Sequence, residues 1–242
     1  MLNKTRGIVL RTIPYNDKYS IIHIYTEAFG RVSYLVGRPG KRSKVSKALF
    51  IPLSPLEMEV EHMNKRELQR IKETRMCFPI NDICRHPIKN VLALFLSEIL
   101  FQVMKEYTEP DKRLFSYLYE SIHLLEYTDK GIANFHLVFL LGLPRFLGIS
   151  PNTESYQTGS YFDMLNGVFT SQIPTHRHYL NKEESAFFSR LLRIRYENMS
   201  LYSFSRQDRT RIIQHILEYY RLHLPDFPEI KSLPILQSLF DD

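Results

Sequence analysis

The chain has 242 residues, 44% of them hydrophobic, so it can bury the core of one large domain or two modest domains, and disorder is excluded as its general state. Its net charge of +6 belongs to the first third, since residues 1–80 hold 15 Lys and Arg against 7 Asp and Glu. Such asymmetry predicts nucleic acid or another anionic surface as the partner.

The same sequence argues against secretion and against a membrane location. No apolar run follows the first charged residues, and the apolar stretches 91–104 and 135–149 are interrupted by Glu98 and by Pro144. Two cysteines, Cys77 and Cys84, are too few for a disulfide framework. We therefore expect a cytoplasmic protein, associated with the nucleoid if its partner is DNA.

Before about Pro79 the apolar residues alternate with a period of two, which predicts strands. Five runs show this pattern: the first from Ile8 to near Tyr15, then runs around Ile22 and Ile24, Val32 to Val36, Leu56 to Val60, and Leu68 to Phe78. Five short strands in about 80 residues favour a small closed barrel such as an OB-fold.

After Pro87 the period shifts toward 3.6, which predicts helices. We expect helices over Leu92–Val103, from Pro110 to Leu125, over Ile132–Leu147, after Asn181 and after Ser205, the last two with capping-box spacing to Glu184 and Asp208. The irregular stretch of residues 150–180 contains a predicted hairpin, in which Tyr161–Asp163 and Gly167–Phe169 flank a turn.

The predicted fold class is therefore α+β. We expect an OB-fold nucleic-acid-binding domain at residues 1–80 and a mostly helical domain at residues 81–242 that carries the hairpin insertion.

A basic segment without acids lies between the third and fourth predicted strands. From Ala28 to Leu56 the only charged residues are Arg31, Arg38, Lys41, Arg42, Lys44 and Lys47. Glycine and proline in this segment present backbone groups as well, so we predict contacts to phosphates without base-specific readout. Tyr34 and Phe50 flank the segment and would stack on bases if they face outward, although core packing is expected for at least one of them.

Other basic residues receive simpler interpretations. Lys72 and Arg75 lie on the strand predicted to follow Glu57, Glu59 and Glu61, so cross-strand ion pairs account for them. A second cluster on two predicted helices is a solvated helix surface or a secondary surface for DNA or a partner; it includes Arg190, Arg193, Arg206 and Arg209.

No catalytic or metal-binding motif is found. The segment 37–43 has the wrong glycine spacing for a nucleotide-binding loop, and His176 and His178 alone cannot fill a tetrahedral metal site. Cys77, Cys84 and His86 are better explained as two small hydrophobic side chains and a loop histidine. We expect no enzyme activity, no cofactor and no metal.

The order of these features resembles the bacterial RecO family of DNA repair proteins. The matching residues in the barrel are Gly7-Ile8-Val9-Leu10, Tyr15, Thr26, Gly30-Arg31, Gly37, Pro52-Leu53 and Pro55-Leu56-Glu57. Those in the helical part are Phe135-His136-Leu137, Leu140-Leu141, Phe146-Leu147-Gly148, Pro151, Tyr161-Phe162-Asp163 and Gly167.

The resemblance implies a recombination mediator without enzymatic activity. Such a protein binds single- and double-stranded DNA, anneals complementary strands, associates with RecR and with the acidic C-terminal tail of the single-strand-binding protein, and helps load RecA. Carried over to this sequence, the DNA contacts fall on Arg31, Arg38, Lys41, Arg42, Lys44 and Lys47, with Arg6 and Arg11 as additions.

One departure from the family pattern concerns zinc. Many family members carry a four-cysteine zinc module in the region that matches residues 150–179, and this region has no cysteine here. We therefore expect the hairpin to be held by aromatic packing among Tyr156, Tyr161, Phe162 and Phe169.

A protein of a different class remains open. A protein–protein adaptor would use the basic segment to bind an acidic partner tail instead of DNA, and its many aromatic residues would supply anchoring pockets. The sequence does not distinguish the two, because an acidic tail and a phosphate backbone attract the same cations.

Overall fold

The computed structural model describes residues 2–37, 45–63 and 65–239. The predicted contacts Arg38, Lys41, Arg42 and Lys44 lie outside the described residues, and so does the side chain of Lys47. Contacts between α-carbons divide the chain into two compact units, one of Met1–Thr128 with Glu229–Asp242 and the other of Asp129–Pro228. The proposed domain boundary at residue 80 stays a prediction.

The predicted five-stranded barrel is confirmed. Its strands are β1 (Leu2–Pro14), β2 (Tyr19–Thr26), β3 (Gly30–Gly37), β4 (Pro55–Glu61) and β5 (Leu68–Met76). They close in the order β1-β2-β3-β5-β4, with every pair antiparallel except β3 and β5. The register of β1 against β2 shifts between Val9 and Arg11, as a β-bulge does.

The barrel interior takes the apolar side chain of every second residue. Ile22, Ile24 and Val32 belong to this core, and so do Tyr34 and Phe50, which are 0% and 4% exposed. The core packing expected for at least one of them is confirmed for both, so neither ring can stack on bases; for Tyr34 the reason is the alternation of β3, which points its side chain inward.

The described residues of the same unit also form α1 (Asn81–Arg85), α2 (Pro87–Val103), α3 (Lys112–Tyr127) and, toward the C-terminal end, α8 (Leu233–Ser238). The helix predicted from Pro110 begins later, because the Asp111 side chain accepts hydrogen bonds from the backbone N–H groups of Arg113 and Leu114 and forms the N-cap.

The expected ion pairs between β4 and β5 are present. Arg75 Nη2 lies 2.5 Å from Glu57 Oε2, and Lys72 Nζ lies 3.0 Å from Glu61 Oε1.

A fully buried lysine joins the first three helices. The Lys89 ammonium contacts the Asp82 carboxylate and donates to the backbone oxygen of Glu126 at 2.8 Å. The Glu126 carboxylate in turn accepts from the N–H groups of Asp82 and Ile83, both at 2.9 Å. The network fixes α1 and α3 around α2.

The second unit contains α4 (Phe135–Gly142), α5 (Pro144–Leu147), β6 (Tyr161–Asp163), β7 (Val168–Thr170), β8 (Tyr179–Leu180), α6 (Lys182–Leu191) and α7 (Arg206–His223). Both predicted capping boxes are present. The hairpin is confirmed as β6 and β7, and β8 extends it to three strands in the order β7-β6-β8. The helix predicted over residues 132–147 is divided at Leu143, where Pro144 opens α5.

Aromatic packing holds the small sheet together. Ring centroids are 4.9 Å apart for Phe162 and Phe169 and 5.1 Å apart for Tyr156 and Phe169. Tyr161 packs against Tyr179 of β8 instead, at 5.9 Å. Across the described ranges, no helix is both long and apolar enough to span a membrane.

Candidate nucleic-acid interface

Three cations surround one aromatic ring where α2 ends on the outer wall of the barrel. The guanidinium carbons of Arg11 and Arg31 lie 4.9 and 4.8 Å from the ring centroid of Phe101, and the Lys105 ammonium lies 5.9 Å from it. Within the described ranges, no carboxylate lies within 4.0 Å of any of the three charges. We call Arg11, Arg31 and Lys105 the Phe101 cation cluster.

The strand register places this cluster. The bulge after Val9 sets Arg11 opposite His23, and His23 lies opposite Ser33 on β3. Arg31 is two residues from Ser33 on the same strand and therefore points to the same face. These four residues form a polar patch on the outside of the barrel.

The histidine within the patch does not add to its charge near neutral pH. Burial, followed by the charges of Arg31 and Arg11, lowers the pKa of His23 to about 4. Its Nδ1 shares a hydrogen bond of 2.9 Å with the Ser33 hydroxyl, and its ring meets Phe101 edge to face at 5.1 Å. Neutral His23 thus packs on the same ring as the cations without adding to their charge.

Lys105 reaches the cluster because the segment after α2 is anchored to the barrel. The backbone N–H of Arg31 donates to the backbone carbonyl oxygen of Thr108 at 2.9 Å. The Tyr25 hydroxyl donates to the backbone carbonyl oxygen of Glu109 at 3.2 Å. The N–H of Asp111 donates to the same hydroxyl at 3.1 Å. These bonds hold residues 105–111 against β2 and β3.

A cluster of this composition attracts phosphate. Arginine presents several N–H donors in a planar fork, and lysine adds a mobile point charge. Because the three charges are not neutralised by described carboxylates, an incoming polyanion would release its own counterions without first breaking an ion pair. Two members, Arg11 and Arg31, are among the residues that the sequence analysis assigns to DNA.

Arg6, the other predicted addition, is engaged within the chain. It donates two hydrogen bonds to Glu27, at 2.9 and 2.8 Å, and lies over the rings of Phe115 and Tyr119 at 5.3 and 4.9 Å. The hydrogen bond lowers the pKa of Glu27 and raises that of Arg6. A DNA contact by Arg6 stays a prediction, and it would have to share this guanidinium with Glu27.

The second arginine cluster belongs to the other unit. Arg190 and Arg193 are exposed at and after the end of α6, and Arg206 is exposed in the first turn of α7. Arg209 is half-buried and donates to the Phe204 oxygen at 2.7 Å, and burial lowers its pKa. Three of the four side chains are thus open to solvent, and their role in binding stays a prediction.

The histidines near the small sheet are paired with carboxylates. His176 Nε2 lies 3.2 Å from Asp163 Oδ1, and His178 Nδ1 lies 2.9 Å from Glu218 Oε1. In the part of the chain that the structure describes, no three His, Cys, Asp or Glu side chains are grouped so that they could hold a metal ion.

Lys105 and Phe101 were not predicted as site residues from the sequence. Lys105 follows an apolar helix and precedes Glu106, so in sequence it reads as an ordinary solvated charge, and Phe101 reads as core. Only the packing of α2 on the barrel brings them to Arg11 and Arg31.

A closed five-stranded barrel with this strand order is OB-like, a fold that binds oligonucleotides, and its wall carries a cation cluster that no described carboxylate neutralises. The family model described as Recombination protein O N terminal matches residues 1–79, and the model described as Recombination protein O C terminal matches residues 85–234.

Curated relatives agree with the family models over the full length. The DNA repair protein RecO of Azobacteroides pseudotrichonymphae is 48% identical over 242 residues, which cover 100% of both chains. That of Bacteroides fragilis is 46% identical over 243 residues with the same coverage, and that of Flavobacterium psychrophilum is 32% identical over 240 residues, 98% of each chain. The chain belongs to the RecO family of DNA repair and recombination proteins.

Proposed function

We propose that this protein is a recombination mediator that binds single- and double-stranded DNA and promotes the annealing of complementary strands without a covalent step. The observation that carries the proposal is the Phe101 cation cluster on an OB-like barrel, three cations that no carboxylate of the described residues neutralises. Membership in a family of repair and recombination proteins supports it.

The physical mechanism is charge neutralisation. Two DNA strands repel each other through their phosphates, and this repulsion falls when cations replace the diffuse counterions. A surface that holds both backbones would raise the rate at which complementary bases meet. Because contacts to phosphates carry no sequence information, binding through the cluster should be nearly independent of sequence.

The family resemblance extends the proposal to partners. We propose that the protein acts at the nucleoid in the cytoplasm, associates with RecR and the acidic tail of the single-strand-binding protein, and helps load RecA onto coated DNA. The helical parts would supply the partner surfaces, while the barrel supplies the DNA surface.

Salt-dependent titration of an oligonucleotide tests the DNA surface. The combined substitution Arg11→Gln, Arg31→Gln and Lys105→Gln should flatten the slope of log affinity against log salt by about 2 for a single strand, at about 0.7 per phosphate contact. Lys4→Gln, Lys72→Gln and Arg75→Gln together form the matched control. They remove the same charge from the same barrel, but each of these cations is ion-paired, with Glu59, Glu61 and Glu57 respectively.

An equal loss in both triple variants would mean that only net charge matters, and the cluster would then have no special role. A parallel titration with an acidic peptide addresses the adaptor alternative. Tight peptide binding together with salt-insensitive, weak oligonucleotide binding would favour the adaptor and overturn the proposal.

A further inference from the structure

The outer face of the hairpin formed by β1 and β2 carries three successive cross-strand rows. Arg11 lies opposite His23, and Ile13 lies opposite Ile21. One row further on, the backbone N–H of Tyr15 donates to the backbone carbonyl oxygen of Tyr19 at 3.1 Å, so these two tyrosines form the last row. Residues opposite one another and residues two apart share a face, and the three rows span about 14 Å at about 3.4 Å per residue.

The rows differ in how far the rest of the unit covers them. Phe101 of α2 packs on the row of Arg11 and His23. Ile13 and Ile21 are half-buried, and Tyr15 and Tyr19 at the tip remain 60% and 41% exposed. The face therefore runs from a cation cluster at one end to two open phenol rings at the other.

The exposed rings are carried on a fixed turn. The Asn16 side-chain oxygen accepts from the N–H groups of Lys18 and Tyr19, both at 2.9 Å, which closes an Asx turn. Gly37 lies opposite Tyr19 on β3, and a Cβ built there would be 3.3 Å from Tyr19 Cε1. The Tyr19 ring thus lies against the end of β3, where a larger residue would displace it.

Exposed aromatic rings on the same face as cations that no described carboxylate neutralises fit one ligand better than any other. Bases present flat π surfaces that stack on tyrosine, and the phosphates that join them seek cations. A duplex offers the same phosphates but keeps its bases stacked inside. A protein partner would need acidic groups facing the cluster and an apolar anchor facing the rings, which is a narrower requirement than a single strand meets.

We propose that Tyr15 and Tyr19 form a base-stacking platform for single-stranded nucleic acid whose phosphates are held by the Phe101 cation cluster. The inference rests on the proposed function and deepens it, because it gives the DNA surface a preference for single strands over duplex. It also separates two tasks: the cations set affinity for any backbone, and the rings select unpaired bases.

The absence of tryptophan from the chain allows a direct test. Tyr15→Trp places the only indole at the platform, and Tyr127→Trp places it at a tyrosine that is 56% exposed on α3 of the same unit. We expect an oligothymidine to quench the indole fluorescence at position 15 and to leave that at position 127 unchanged. An abasic oligomer of equal length, which has phosphates but no bases, should bind without quenching either.

Affinity measurements complete the test. Tyr15→Ala with Tyr19→Ala should lower the affinity for oligothymidine about tenfold or more, leave the affinity for the abasic oligomer and for duplex unchanged, and keep the salt slope. Tyr15→Phe with Tyr19→Phe should bind like the parent protein, because phenylalanine stacks equally well. Unchanged affinity of the alanine variant for the abasic oligomer shows that the hairpin has kept its shape.

The outcomes separate this inference from the proposed function. If the parent protein binds no oligonucleotide at all, both are wrong. If the parent binds but the alanine variant loses nothing, or loses abasic and thymidine oligomers equally, the platform is overturned and the DNA surface stands. A changed oligomeric state with unchanged DNA affinity would assign the tyrosines to a protein interface and would equally overturn the platform.

Discussion

Gly30 lies so close to the carbonyl oxygen of Thr108 that a Cβ built on Gly30 would be 1.9 Å from that oxygen. The neighbouring N–H of Arg31 donates to the same oxygen at 2.9 Å. The backbone of β3 therefore touches the segment after α2 directly, and this contact positions Lys105 beside Arg31.

Gly30→Ala should destabilise the protein more than a left-handed backbone angle alone explains. Its φ of 63° costs a residue with a Cβ about 1–2 kcal/mol, and the collision with Thr108 adds to that. Gly148→Ala is the control, because Gly148 has a similar φ of 70° with nothing within 4 Å of the added atom. Urea denaturation of both variants measures the difference in unfolding free energy. Equal decreases for the two variants would show that the Thr108 backbone moves away from the added Cβ at little cost.

Lys89 should tolerate methionine better than alanine. Alanine removes both the packed stem and the donor to Glu126, which should cost about 2–5 kcal/mol, as other large-to-small changes in a core do. Methionine keeps the stem and should cost about 1–2 kcal/mol for the lost hydrogen bond, since the Asp82 carboxylate is half-exposed and water can solvate it. Equal unfolding free energies for the two variants would contradict a packing role for the stem.

The free energy of unfolding should decrease as the pH is lowered, because His136 is buried in its neutral form. Burial, followed by the charge of Arg209, lowers the pKa of this fully buried imidazole to about 3, whereas the unfolded chain has the ordinary value of 6.5. Between pH 6.5 and about 3, His136 is protonated in the unfolded state and neutral in the folded state. The free energy of unfolding therefore decreases as the pH falls, by about 1.4 kcal/mol per pH unit at most.

His136→Leu removes that titration. Its unfolding free energy, measured against pH with the parent protein alongside, should decline less steeply below pH 6.5. Parallel curves for the two proteins would show that other groups carry the acid sensitivity.

The basic segment makes a separate prediction about DNA. Changing Lys41, Arg42, Lys44 and Lys47 together to alanine should weaken binding to every sequence about equally and flatten the salt slope for single strands by about 3. Fluorescence anisotropy over a salt series measures both quantities. If affinity for single strands is unchanged, the segment has no part in binding, and the Phe101 cation cluster would carry the phosphate contacts without it.

Much of the fold could be predicted because many helices and strands follow from patterns among residues that are close together in the sequence. The alternation in Leu56 to Val60 defines β4, and the spacing of Asn181 to Glu184 defines the start of α6, since each depends only on neighbours along the chain. The predicted start of α3 lies two residues before the observed one, because Pro110 and Asp111 are both good helix-opening residues and only the Asp111 hydrogen bonds decide between them.

The sequence by itself determined where the basic charge is concentrated, which residues alternate into a barrel, and which family the order of motifs resembles. Tertiary structure decided which aromatic rings are available and which cations stand together. Tyr34 and Phe50 turn inward while Tyr15 and Tyr19 remain in solvent, and Arg11, Arg31 and Lys105 converge on Phe101 from three places in the chain. The physical reason is that exposure and charge proximity depend on which elements pack together, and residues 70 or more positions apart in sequence carry no local signal of that contact.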